Sequence, residues 1–132
     1  MYHLRRALLA VSLFMSIASF AAPAFAQHMN ADSFYQRAVA LKKKGALAMF
    51  SVGEVKALLK EVKAAGLLVK QTRLAAEKAG GHGRYCPPKG SKRMDSNEYL
   101  EALGAMPAVE RKAIDLVEAT TRMMERKFPC QP

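Results

Sequence analysis

Ser51–Ala79, SVGEVKALLKEVKAAGLLVKQTRLAAEKA, is the stretch whose reading decides the fold. Its apolar residues recur at helical rather than alternating spacing. At about 100° per residue, Val55, Leu58, Leu59, Val62, Ala65, Val69 and Ala76 fall on one broad face, which is expected to pack on a core. Lys56, Lys60, Lys63, Lys70 and Arg73 fall on a narrower adjacent arc. Ser51-x-x-Glu54 reads as a capping box that opens the helix, and Gly80-Gly81-His82-Gly83 closes it. Gly66 costs about 1 kcal/mol relative to alanine, which makes it the point where the helix is open to a split or kink.

Helical periodicity continues on both sides of this segment. A first helix is expected from about Ala31 to Lys44, with Asn30 or Asp32 as cap, Phe34, Ala38 and Leu41 on one face, and Gly45 as a stop. Ala46–Phe50 reads as a short apolar connector. Gly80–Arg93, rich in glycine and holding Pro87 and Pro88, reads as a loop. Asp95–Glu98 is a second capping box, opening a short helix that carries Tyr99, Leu100 and Leu103. Pro107 suits the first turn of a last helix, where a missing N–H is harmless. That helix is expected to bury Val109, Ala113, Leu116, Val117, Thr120, Met124 and Phe128, and Pro129 helps to stop it. The fold class is all-α: a small single-domain bundle of about four helices.

The chain begins as an export signal does. Arg5 and Arg6 form a basic n-region, Ala7 to Phe20 an apolar h-region, and Ala24-Phe25-Ala26 a small-residue cleavage site. Residues 1–26 therefore read as a signal peptide cut between Ala26 and Gln27, and 27–132 as one helical domain delivered to the periplasm. The competing reading is an uncleaved anchor, since no charge interrupts Ala7 to Ala26 and about 20 apolar residues can span a bilayer. Pro23, the serines at positions 12, 16 and 19, and the cleavage site favour processing.

Cys86 and Cys130 are the only cysteines. Their isolation as a pair in an exported chain predicts a disulfide; two buried free thiols are the plainer alternative. Charge is uneven. From Arg37 to Arg93 the formal balance is +11, and from Met94 to Pro132 it is −2. The cationic part favours an anionic partner or surface and salt-sensitive association.

Little in the sequence suggests catalysis or a cofactor. His28 and His82 are the only histidines in the processed chain, and no Cys/His/Asp/Glu set has metal-ligand spacing. His82 reads first as an exposed loop residue. The Gly80-Gly81-His82-Gly83 stretch lacks the Lys-Ser/Thr of a phosphate loop, and neither Ser51 nor Ser91 has an activating context. Met123-Met124 reads as core packing rather than soft-metal capture. Lys42-Lys43-Lys44 fits a solvated helix end, where cations suit the macrodipole. No catalytic residue, metal, cofactor or small-molecule substrate is expected.

Tyr85-Cys86-Pro87-Pro88, a polar turn, a helix ending near Leu103, Pro107, an amphipathic helix and Phe128-Pro129-Cys130 together resemble the Rap/Tai family of periplasmic immunity proteins. The likeness spans Gly83 to Cys130; Ala31 to Gly81 fits only as generic helices, and the strongly basic N-terminal part is a departure. The resemblance implies a non-enzymatic protein that binds a type VI secretion amidase effector and blocks its peptidoglycan-cleaving site. The expected contact residues are Gly81, His82, Arg84, Lys89, Lys92 and Arg93 of the Gly80–Arg93 loop. The alternative is an envelope protein that uses Lys56, Lys60, Lys63, Lys70 and Arg73 against an anionic polymer or membrane surface. A homodimer remains open.

Overall fold

A computed structural model describes residues 28–131; the expected signal peptide and its Ala26–Gln27 cleavage site lie outside the described residues. Helix α1 (Ala31–Lys44) begins where Asn30 is extended and its side-chain oxygen accepts from the amides of Asp32 and Ser33, at 3.0 and 3.2 Å. It ends at Gly45, whose φ of 52° suits a residue without a side chain. The apolar connector then winds into a 3-10 helix, Gly45–Ser51, that runs into α2 (Val52–Lys78).

The capping box expected at Ser51 does not form, because helical backbone already precedes α2. Ser51 makes no cap bond. Its hydroxyl accepts from Lys44 Nζ at 3.3 Å, and Glu54 turns to α1, where Arg37 holds it with two hydrogen bonds of 2.6 and 2.7 Å. α2 passes through Gly66 unbroken. It stops in a Schellman arrangement, with Gly80 N–H donating to Glu77 O and Gly81 N–H to Ala76 O, both at 3.0 Å, and with Gly80 at a φ of 81°.

Helix α3 (Ser96–Gly104) is capped by Asp95, which accepts from the amides of Asn97 and Glu98, each at 2.9 Å. The last helix is not continuous. It divides into α4 (Ala108–Ala113) and α5 (Leu116–Lys127), separated by extended backbone at Ile114 and Asp115. The break is held by the segment before α1: Ala31 N–H donates to Ile114 O at 3.1 Å and Leu116 N–H to Met29 O at 2.8 Å. The Asn30 amide also donates to the carbonyls of Lys112 and Ile114, each at 3.0 Å, so one residue caps α1 and satisfies the end of α4. Asp115 then caps α5 by accepting from Glu118 N–H at 2.8 Å.

That break rotates the buried stripe. Leu116, Ala119, Thr120 and Met123 face inward, whereas Val109 and Ala113, expected inside, are exposed. On α2 the buried line is narrower than expected: Leu58, Ala65 and Val69 are inside and Leu59 is exposed. Leu58 and Ala65 meet Phe34 and Leu41 of α1, Tyr99 and Leu103 of α3, and Met106 in one core. Phe34 and Tyr99 meet edge to face at 6.0 Å between centroids. Thr120 Oγ1 donates to Leu116 O, so the Tyr99 hydroxyl donates to Thr120 at 2.6 Å. Burial pushes the Tyr99 phenol up to about 12.

The core also contains a charge. Arg111 of α4 is buried, with Nε donating to Asp32 Oδ1 at 2.9 Å and an Nη donating to Met106 O. Its guanidinium lies 4.1 Å from the Tyr35 ring centroid. Gly104 leaves room for that ring, since a side chain there would press on Tyr35.

Removing one partner of a buried ion pair strands the other charge, so Arg111→Met should cost about 3–5 kcal/mol in urea unfolding. The paired substitution Asp32→Asn with Arg111→Met should cost less than the two single losses added together. A loss below about 1 kcal/mol for Arg111→Met would show that the pair does not hold the fold.

Candidate functional site

The loop between α2 and α3 has a fixed base and a free tip. At its base Tyr85 is buried, with the Arg73 guanidinium 5.5 Å from its ring centroid, and Arg73 is paired with Glu77 one turn along α2. Gly83 lies so close to the Arg73 stem that a side chain there would overlap it. Cys86 N–H donates to Phe128 O at 2.8 Å, and Cys86 is bridged to Cys130. The predicted disulfide is present, with the two Cα atoms 4.8 Å apart.

Arg84 makes the second anchor. It donates to Glu118 at 2.6 and 3.1 Å and to Glu125 at 2.6 and 3.1 Å, carboxylates seven residues apart on α5. Arg122 then links Glu118 to Glu110, at 2.7 Å each. Arg84 holds the Glu118 carboxyl below the ordinary carboxylate range, against the opposing effect of partial burial and with help from Arg122.

Beyond Cys86 the loop is open to solvent. Pro88–Ser91 closes a turn through Ser91 N–H to Pro88 O at 3.1 Å, with Gly90 at a φ of 77°, the pattern of a type II turn. Lys89, Lys92 and Arg93 are exposed there, and Gly81 and His82 are exposed at the other end of the loop. The six residues expected on this surface thus divide. Arg84 is committed to α5, while the remaining five face solvent.

The residues of the basic arc divide too. Lys56, Lys60, Lys63 and Lys70 are exposed and make no ion pair among the described residues, but Arg73 turns under the loop. A shallow groove runs between Lys56, Leu59, Lys60, Lys63, Ala64 and Leu67. Two features escaped the sequence reading. Nothing in the local pattern marked Arg84 as the partner of Glu118 and Glu125, 34 and 41 residues away. The exposure of the 3-10 helix was hidden because Ala46–Phe50 reads as apolar filler.

The chain matches no protein-family model, no curated protein and no solved structure.

Two outcomes follow from the loop's anchors. The bridge joins residues 44 apart, and in the chain-entropy account closing such a loop is worth about 4 kcal/mol. Cys130→Ser should therefore lower stability by about 2–5 kcal/mol in chemical unfolding, and thiol labelling of the denatured, unreduced protein should find no free sulfhydryl. Two labelled thiols per molecule would contradict the bridge. Glu118 provides a pH test. A carboxylate with a lowered folded pKa adds stability that is present above its unfolded value, about 4.3, and is lost as pH falls through the folded value. Melting temperature should fall on acidification below about pH 4.3, and Glu118→Gln should shrink that fall. Equal acid sensitivity in both proteins would show that Arg84 and Glu118 are not energetically coupled.

Proposed function

We propose that this protein is a periplasmic immunity protein that binds and occludes a type VI secretion peptidoglycan amidase effector, without enzymatic activity of its own. The observation that carries the reading is the loop of residues 80–93: locked at Tyr85, Arg84 and the Cys86–Cys130 bridge, and exposed at the turn Pro88–Ser91. A protein that blocks a groove needs an element that protrudes yet loses little freedom on binding. Pro87, Pro88 and the bridge limit that freedom in the unbound loop. Gly90 allows a tight tip, and Lys89, Lys92 and Arg93 add positive charge that speeds docking on an acidic groove.

The resemblance of Tyr85-Cys86-Pro87-Pro88 and Phe128-Pro129-Cys130 to the Rap/Tai pattern supports the same reading, because these are the segments that the bridge joins. Export, suggested by Arg5, Arg6 and the Ala24-Phe25-Ala26 site, would bring the protein to the compartment where peptidoglycan is cut.

The test is peptidoglycan hydrolysis by an amidase encoded beside this gene, measured with and without the protein. Deleting Gly90–Lys92 should leave helicity and the disulfide intact and weaken inhibition by at least about tenfold, or 1.4 kcal/mol. Full inhibition by the deleted form would remove the loop as the inhibitory element; no inhibition by the intact protein would remove the immunity reading itself.

A further inference from the structure

A second surface, built from other residues, has no part in loop-based inhibition. The 3-10 helix turns Leu47, Met49 and Phe50 outward, with Met49 77% and Phe50 87% exposed, and Val52 carries the apolar patch onto α2. Scattered single apolar residues are ordinary on a surface, but a run of large ones marks a place of interaction. This run is held in place by its surroundings. Gly45 turns the chain out of α1, Lys44 Nζ donates to Ser51 Oγ across the 3-10 helix, and Arg37 clamps Glu54 of the following turn.

Cations surround the patch. Lys42, Lys43 and Lys44 lead into it, and Lys56, Lys60 and Lys63 follow on the exposed side of α2, with Leu59 and Leu67 between them in the shallow groove. The carboxylates in this part of the chain do little to offset them: Glu54 is already taken by Arg37, and Glu61 is partly buried. A docking partner must therefore offer both negative charge and a place for Met49 and Phe50. A second copy of the chain would set the same lysines against one another, which like-charge repulsion disfavours. A soluble polyanion would satisfy the lysines and leave the apolar side chains in water.

An anionic bilayer meets both demands. Its phosphates take the ammonium groups, and its headgroup–acyl boundary takes the apolar side chains, while the lysine stems lie along apolar surface with their charges at the interface. We propose that the 3-10 helix and the first turns of α2 dock on anionic phospholipid membranes, with Met49 and Phe50 inserted and Lys44, Lys56 and Lys60 at the phosphates. No helix among the described residues is long and apolar enough to cross a membrane, so the contact formed by these residues is one of surface association. This site works whether or not the loop inhibits an amidase, and the two are tested by different assays.

The experiment is co-sedimentation of the protein as isolated from cells with vesicles of mixed phosphatidylglycerol and phosphatidylcholine, and with vesicles of phosphatidylcholine alone. Binding to the anionic vesicles should be at least about tenfold tighter and should weaken as salt is added. The double variant Met49→Ser with Phe50→Ser should keep its helicity, since both side chains are in solvent, and lose about tenfold or more of its vesicle affinity. Lys56→Gln with Lys60→Gln should weaken binding and flatten its salt dependence. The chain has no tryptophan, so a Phe50→Trp variant reports on that position alone; its emission should shift to the blue on anionic vesicles and be quenched by brominated lipid. Unchanged emission on bound vesicles, equal affinity for both vesicle types, or full binding by the double serine variant would overturn the proposal. So would a dimer that dissociates when Met49 and Phe50 are replaced, which would give the patch to a second copy.

Discussion

The buried guanidinium of Arg111 is the constraint around which the bundle is arranged. A charge removed from water is tolerated only when it is paired and hydrogen-bonded, and here two separate pieces of chain, α1 and the segment after α3, do this. Asp32 supplies the counter-charge from the first turn of α1, Tyr35 on the same helix supplies a ring face, and Met106 supplies a carbonyl from the segment between α3 and α4. Hydrophobic packing alone would let α1, α3 and α4 slide over one another at modest cost. A single Nε–carboxylate bond of 2.9 Å in the core favours one alignment, because any shift leaves a buried charge unpaired. The polar tie thus sets register, while Phe34, Tyr99, Leu103 and Leu116 supply the apolar burial that drives collapse.

Register at Arg111 determines what happens further along. With α4 fixed beside the start of α1, the chain before α1 meets the end of α4, and Asn30 can serve two helix termini at once. α5 then leaves Asp115 in a new direction, with Glu118 and Glu125 toward the loop and the Phe128 carbonyl near Cys86. The disulfide closes a geometry that Arg84 and this carbonyl also favour. Rigidity at the loop base is shared among unlike interactions, so no single one of them defines the tip.

How much of this was legible depended on how local the cause was. α1 was readable from Asn30 to Gly45, because a cap and a glycine stop act within a turn of themselves. Asp95 and α3 were readable for the same reason, and the bridge followed from there being only two cysteines in a chain that starts with the pattern of an export signal. The break between α4 and α5 was not read, although Asp115-x-x-Glu118 is a capping signature of the kind recognised at Asp95. An unbroken helix satisfied the apolar period equally well, and the pairing that opposes it comes from Met29 to Ala31, more than eighty residues away in sequence. Ser51 erred the other way: its signature was right, but helical backbone ahead of it removed the need for a cap. Arg111, between Glu110 and Lys112, looks like an exposed charge until Asp32 is brought beside it. As for the candidate site, the loop and its bridge were visible, but the commitment of Arg84 and Arg73 to the loop base depends on tertiary contacts that no spacing encodes.

The structure also divides labour between its two kinds of cation. Among the described residues every arginine except Arg93 holds a carboxylate, whereas of the lysines only Lys127 does. The guanidinium is a planar fork suited to carboxylates and is weakly hydrated, so it can be drawn into packed contacts; the ammonium is strongly hydrated and stays on a flexible stem. Six of the eleven acidic residues, Asp32, Glu54, Glu77, Glu110, Glu118 and Glu125, are held by arginines. The excess positive charge is left on lysines that hold no carboxylate, and Lys42 to Lys44 and Lys56 to Lys63 gather it beside the exposed apolar side chains of the 3-10 helix. Because few of these lysines are neutralised from within, their field reaches outward and is limited by salt rather than by internal partners. Lys56, Lys60 and Lys63 hold no carboxylate among the described residues, so their ammonium groups are open to association.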